Sequence, residues 1–253
     1  MTPAERLSAA IRSPKHGGPA LLPYLTSGFP TMEGFGDLLR SVAEVADAME
    51  IGVPFTDPMA DGVTIQDSSR VALENGVNLR WILKTLTENR VDTPLMLMSY
   101  TNPLLAYGVD DLCRDAVAAG VCGLIVPDLA FEESELLRGP AEAHGLGLIQ
   151  LVTPVTPPDR LRMLCEASGG FVYAVTMRGT TGGAALPAEV PDYLDRVRAV
   201  SPVPVCAGFG IRGREQVDAL RPHADGVIVG SAVIDRLANG QDVIAFLKEL
   251  VGA

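Results

Sequence analysis

Short apolar runs alternate with longer amphipathic stretches from one end of the chain to the other. The runs at 20–25, 48–53, 95–100, 123–127, 147–152, 171–176, 203–207 and 226–229 predict eight strands. Between them, segments 32–47, 66–89, 110–120, 132–144, 158–167, 190–200, 214–220 and 242–251 carry helical periodicity, and 3–12 predicts an extra helix ahead of the first strand. Strand and helix in alternation imply a parallel sheet. Eight such units in 253 residues predict a closed (β/α)8 TIM barrel rather than the rival open doubly wound sheet. No linker-like break in composition interrupts residues 1–253, so they read as one domain. The longest loops, 54–65 and 177–189, fall after the second and sixth strands, at the face where barrels of this kind place their active sites.

One strand breaks the apolar rule. Alternation along the second strand sets Ala48, Glu50 and Gly52 on one face and Met49, Ile51 and Val53 on the other. The larger apolar set would face the helices, which turns Glu50 into the barrel. An ionised carboxylate there is costly unless paired or needed. The structural reading is a Glu held by a buried cation. The chemical one is an acid/base whose pKa is raised by desolvation. Asp61, in the Asp-Gly turn eleven residues on, reads alone as a turn former. Together with Glu50 it becomes the second member of a carboxylate pair. Asp57, before Pro58, fits loop structuring better than catalysis.

The glycines add a candidate anion site. Gly208-Phe209-Gly210-Ile211-Arg212-Gly213 is a literal G-x-G-x-x-G between a strand and a helix. A dinucleotide fold places that motif near the start of its sheet, with an acidic residue ending a second strand about 20 residues on, and here only one clear strand follows. The better reading is a barrel phosphate loop, completed by Gly230-Ser231. Residues 179–183, Gly-Thr-Thr-Gly-Gly, fit either a plain loop or a lid over substrate.

Composition narrows the partners. Twenty Lys and Arg against 31 Asp and Glu give a net charge of −11, which disfavours nucleic acid and repels anionic substrates. A phosphate site must therefore be made locally, from backbone N–H groups. No apolar run reaches the ~18 residues of a membrane helix, and no secretory leader is visible. Cys113, Cys122, Cys165 and Cys206 show no metal spacing, which suits a reduced, cytoplasmic chain. His16, His144 and His223 are scattered, and no metal site is expected.

The run Glu50-Ile-Gly-Val-Pro-Phe-Thr-Asp-Pro-Met-Ala-Asp-Gly62, continued by Thr64-Ile65-Gln66, resembles the signature of the tryptophan synthase α-subunit family. Shorter pieces follow in the family's order: Thr26–Pro30, Ser99–Pro103, Ile125–Leu129, Phe171–Tyr173, Gly179–Gly182, Gly208–Ile211 and Gly230–Ala232. The resemblance implies a TIM barrel that cleaves indole-3-glycerol phosphate to indole and glyceraldehyde 3-phosphate without a cofactor. It implies Glu50 and Asp61 as catalytic carboxylates, Tyr100 and Tyr173 around the indole, and Tyr24, Ile65, Met98 and Ile125 as apolar lining. Thr181 would position Asp61. Gly182, Phe209, Gly210, Gly230 and Ser231 would hold the phosphate, mainly through backbone donors. The implied partner is a PLP-dependent β-subunit in an α2β2 complex.

Two positions depart from the family pattern: Val63, where Pro is usual, and Met177-Arg178 before the lid glycine. The other readings are a lyase that works without a partner, another phosphate-binding barrel isomerase or cyclase, and a non-enzymatic activator subunit.

Overall fold

The computed structural model describes residues 1–176, 188–208 and 210–252. Their elements run α1 (Pro3–Arg12), β1 (Ala20–Thr26), α2 (Phe35–Val45), β2 (Met49–Gly52), α3 (Val63–Glu74), α4 (Leu79–Glu88) and β3 (Leu95–Met98). Then come α5 (Thr101–Tyr107), α6 (Val109–Ala118), β4 (Val121–Ile125), a 3-10 turn (Phe131–Glu133), α7 (Glu135–Ala143), β5 (Gly147–Val152) and α8 (Pro158–Ala167). The chain continues through β6 (Val172–Val175), α9 (Val190–Val200), β7 (Val205–Gly208), α10 (Arg214–Leu220), β8 (Gly226–Val229), α11 (Ser231–Ala238) and α12 (Val243–Val251). The eight strands are parallel and close in sequence order, β1 pairing with both β2 and β8. This is the predicted barrel.

Strand alternation builds two cores. Leu21, Leu25, Met49, Ile51, Leu95 and Leu97 face outward and pack with helix residues such as Phe35, Leu39, Leu83 and Leu247. Ala20, Leu22, Ala48, Met96, Ile149, Cys206 and Ile228 fill the barrel itself. Cys206 is therefore a small core residue, as its place in an apolar strand predicts. The extra helix α1 plugs the N-terminal end with Leu7 and Ile11, buried in that inner cluster. Full burial of each contributes about 1.5–3 kcal/mol. A capping box fixes where the plug starts: Thr2 Oγ1 accepts from Glu5 N at 3.2 Å and Glu5 Oε2 accepts from Thr2 N at 2.8 Å. With this end filled by side chains, open space is left at the other.

Three helical segments differ from the sequence expectation. The helix predicted over 66–89 is two helices, because Gly76 takes φ +88° and Asn78 caps α4 by accepting from Trp81 N at 3.0 Å. Helix α5 starts at Thr101, in a stretch between the predicted strand 95–100 and the predicted helix 110–120 where no element was expected, and Gly108 at φ +96° separates it from α6. Helix α11 begins at Ser231, where only a phosphate loop was expected; Ala232, Val233 and Ile234 are buried on its inner side. Strand β3 ends at Met98, so Tyr100 is not a strand residue but sits at the N-cap position of α5.

Candidate active site

Glu50 occupies β2 in register with Tyr24 of β1 and Met96 of β3. It is 2% exposed. Its side chain reaches a cavity at the C-terminal mouth of about 640 Å³, counting its open end. The cavity brings together Tyr24, Glu50, Asp61, Ile65, Met98, Tyr173, Gly210, Gly230 and Ser231 of the predicted site. Two predicted lining residues sit elsewhere: Ile125 is fully buried in the inner core, and Tyr100 lies behind the loop that carries Asp61. Thr181, Gly182 and Phe209, with the 179–183 loop and Met177-Arg178, fall outside the described residues.

Glycine makes room for two of the aromatic walls. A Cβ on Gly52 would collide with the Tyr24 phenol, and one on Gly208 would meet the Tyr173 hydroxyl at 2.5 Å. Each ring lies over the last residue of a neighbouring strand.

The loop between β2 and α3 is a chain of tight turns. Asp61 N donates to Pro58 O at 3.1 Å, and Gln66 Nε2 donates to Asp61 O at 2.9 Å. Asp61 thereby stands one residue before the N-cap of α3, where the helix dipole favours an anion. Tyr100 donates to Asp61 Oδ2 at 2.9 Å and accepts from Ala60 N at 3.0 Å. Phe55 stacks on the Tyr100 ring at 5.2 Å. Asp57 is exposed; its carboxylate accepts from Thr56 Oγ1 at 2.5 Å and its carbonyl from Met59 N at 2.9 Å, the loop-structuring duty expected of it.

Burial sets the protonation of the pair. Desolvation, and then the nearby Asp61 charge, push Glu50 from its ordinary 4.5 up to about 8. Desolvation also raises Asp61, to about 6, against the opposing hydrogen bond from Tyr100. Among the described residues Glu50 Oε2 has no hydrogen-bond partner, which leaves it available to whatever enters the cavity. Burial, with the carboxyl groups adding, holds the phenols of Tyr24 and Tyr173 well above their ordinary pKa, so both stay neutral.

The far end of the cavity is polar backbone. Gly230 is the N-cap of α11, and the amides of Ser231 and Ala232 have no helical carbonyl to donate to. Gly210 carries φ +83° on the loop after β7. The sequence reading missed Ile211, Arg212 and Ala232, which line the same end. Their signal was adjacency: they directly follow the glycines the motif singled out.

The arrangement can donate one proton, hold one anion beside an aromatic ring, and bind a dianion at a helix start. A sequence profile for the tryptophan synthase alpha chain matches residues 11–251. The tryptophan synthase alpha chain of Nitratidesulfovibrio vulgaris is 44% identical over 250 residues, covering 97% of each chain. That of Deinococcus radiodurans is 41% identical over 252 residues, covering 97% of this chain and 93% of the relative. Among solved structures, tryptophan synthase from Mycobacterium tuberculosis superposes with a TM-score of 0.90 at 38% identity, covering 98% of this chain and 97% of that one. The α2β2 complex from Pyrococcus furiosus, described in terms of mutual activation, gives 0.84 at 35% identity, covering 92% and 98%.

Proposed function

The chain belongs to the tryptophan synthase alpha-chain family, and from that premise we propose that Glu50 and Asp61 are the two carboxyl groups with which it works. It is a carbon–carbon lyase of tryptophan biosynthesis that cleaves indole-3-glycerol phosphate, acting as the α-subunit beside a β-subunit. The observation that carries the residue assignment is geometric: Glu50, with Oε2 unpartnered among the described residues, and Asp61, held by Tyr100, meet in one cavity, and burial raises Glu50 further than Asp61.

The bond to be broken joins indole C3 to the carbinol carbon of the glycerol chain. Glu50 gives its proton to C3, which turns the ring into an electron sink with positive charge at N1. The Asp61 carboxylate accepts the N1–H hydrogen bond and stabilises that charge from a buried position. The C3–carbinol electron pair then returns to the ring. The carbinol hydroxyl becomes the aldehyde and gives its proton to Glu50, which ends as it began. Tyr24, Ile65, Met98 and Tyr173 would flank the indole, backed by Ile125, and Tyr100 would hold Asp61. Gly210, Gly230 and Ser231, with Phe209 and Gly182, would take the phosphate, and Thr181 would meet Asp61 on closure. We read the chain as one domain. The four cysteines, all free and buried, support a cytoplasmic setting, and no helix among the described residues is long and apolar enough to cross a membrane.

The test is indole release from indole-3-glycerol phosphate by the purified chain and by Glu50→Gln and Asp61→Asn. Each variant should fold and retain less than about a tenth of the activity, the usual scale of such proton-transfer steps. Activity near wild type in either one removes that residue from the assignment.

A further inference from the structure

We infer that Arg212 is a ligand of the substrate's phosphate and sets the preference for phosphorylated over unphosphorylated substrate. The inference rests on the reading of the cavity as the seat of indole-3-glycerol phosphate.

Arg212 is the one basic side chain among the described residues that line the cavity, and it lies at the end where Gly210, Gly230 and Ser231 converge. The chain carries a net charge of −11, and Glu50 and Asp61 share that cavity. Backbone dipoles alone would have to hold a dianion against that field. A guanidinium supplies full charge and a planar fork matched to phosphate oxygens.

The loop presents this side chain from a fixed base. Arg212 N donates to Gln216 Oε1 at 2.6 Å, and Gln216 Nε2 donates to Gly210 O at 2.8 Å, so one side chain of α10 clamps residues 210 to 212. The guanidinium is steered by a single, long contact: Nη1 to Asp235 Oδ2 at 3.3 Å, with the Arg212 side chain 49% exposed. Its other N–H groups make no hydrogen bond among the described residues and remain free to donate. Asp235 stands four residues after Ser231 on α11, on the same helix face. Its other oxygen accepts from Thr64 Oγ1 at 3.0 Å, which anchors the carboxylate to the first turn of α3. The ion pair therefore ties the guanidinium to α11, the helix whose first residues line the same cavity, through one long contact that leaves most of its donors unused.

Three measurements on the full chain test this. Arg212→Gln should raise the KM for indole-3-glycerol phosphate about tenfold, a change of about 1.4 kcal/mol, with kcat changed much less. The same variant should cleave indole-3-glycerol, the unphosphorylated analogue, as the wild type does. Calorimetric titration with inorganic phosphate should show affinity weakened by about tenfold in Arg212→Gln and partly restored in Arg212→Lys. Unchanged KM and phosphate affinity in Arg212→Gln overturn the inference. So does an equal loss on both substrates, which would mark a structural role. Should the wild type cleave neither substrate, the functional reading fails, and the phosphate titration still decides the place of Arg212.

Discussion

The phenol of Tyr100 donates to Asp61 Oδ2 at 2.9 Å across a gap of 39 residues in sequence. The Tyr100 hydroxyl oxygen in turn accepts from Ala60 N at 3.0 Å, so one hydroxyl fixes both the backbone and the carboxylate of the loop tip. The contact exists because Tyr100 has left β3 and stands at the start of α5. Tyr100→Phe removes it while keeping the ring stacked on Phe55. The hydrogen bond lowers the Asp61 pKa, so its loss moves the acid limb of the pH profile to higher pH. A hydrogen bond to a charged group contributes about 1.5–3 kcal/mol, and kcat/KM at pH 6.5 should fall about tenfold. Profiles of the two proteins side by side check both effects. An unmoved acid limb would show that Tyr100 only packs.

The pH dependence of the wild type follows from the carboxyl pair. The reaction needs Asp61 ionised and Glu50 protonated. Activity should fall below about pH 6 as Asp61 takes up a proton, and above about pH 8 as Glu50 loses one. The profile of kcat/KM is then a bell with a narrow top near neutrality. A flat profile through pH 9 would count against Glu50 as the acid.

Glu50 also makes a prediction about stability. Its folded-state pKa, about 8, lies above the ordinary 4.5. Below about pH 4.5 the group is protonated in both states and costs nothing. Between there and about pH 8 the unfolded chain ionises while the folded one does not, and stability falls by roughly 1.4 kcal/mol per pH unit. Above about pH 8 both states are ionised and the loss is constant. Glu50→Gln has no such term. Its melting temperature should approach that of the wild type near pH 4.5 and exceed it by a growing margin up to pH 8. Equal differences at pH 5 and pH 8 would contradict the buried carboxyl.

Much of this was legible in the chain because strand alternation is a local signal. Met49 and Ile51 face the helices and Ala48 the barrel, as their sizes require, and that fixes Glu50 inward. Helices α1, α8, α9 and α10 and strands β5 and β8 fall on their predicted bounds. What was not legible depends on context. Gly76 lies inside the segment 66–89 that helical periodicity predicted as one helix, yet its positive φ splits the segment. Helices α5 and α11 are short; α5 lies where no element was predicted, and α11 starts inside the motif that read as a phosphate loop. The role of Tyr100 behind Asp61 needed the fold, since the resemblance set it around the indole and the periodicity placed it at the end of a strand. Val63, the position where Pro is usual in the family pattern that the sequence resembles, is the first residue of α3, at which Pro is pre-organised and Val is not.

That last point bears on the partner. Met59 is 79% exposed, Val63 70% and Leu105 45%, and all three flank the elements that hold Asp61. Met59 and Val63 bracket it in sequence, and Leu105 lies on the helix that Tyr100 begins. A β-subunit that covers these side chains buries apolar surface and favours the ordered form of the loop at the same time. Activation of about tenfold needs only about 1.4 kcal/mol of such coupling. Val63 leaves the start of α3 less pre-organised than Pro would, so more of the ordering should come from the partner. Leu105→Asp places a charge in the covered surface without touching the cavity. It should leave the basal rate of the isolated chain unchanged, weaken assembly with the cognate β-subunit by at least about tenfold, and lower activation at fixed subunit concentration. Sizing of the mixture, with cleavage measured alone and in the presence of the β-subunit, reads all three. Full activity of the isolated wild-type chain with no complex formed would favour the partner-independent lyase, and an undiminished complex of Leu105→Asp would place the interface elsewhere.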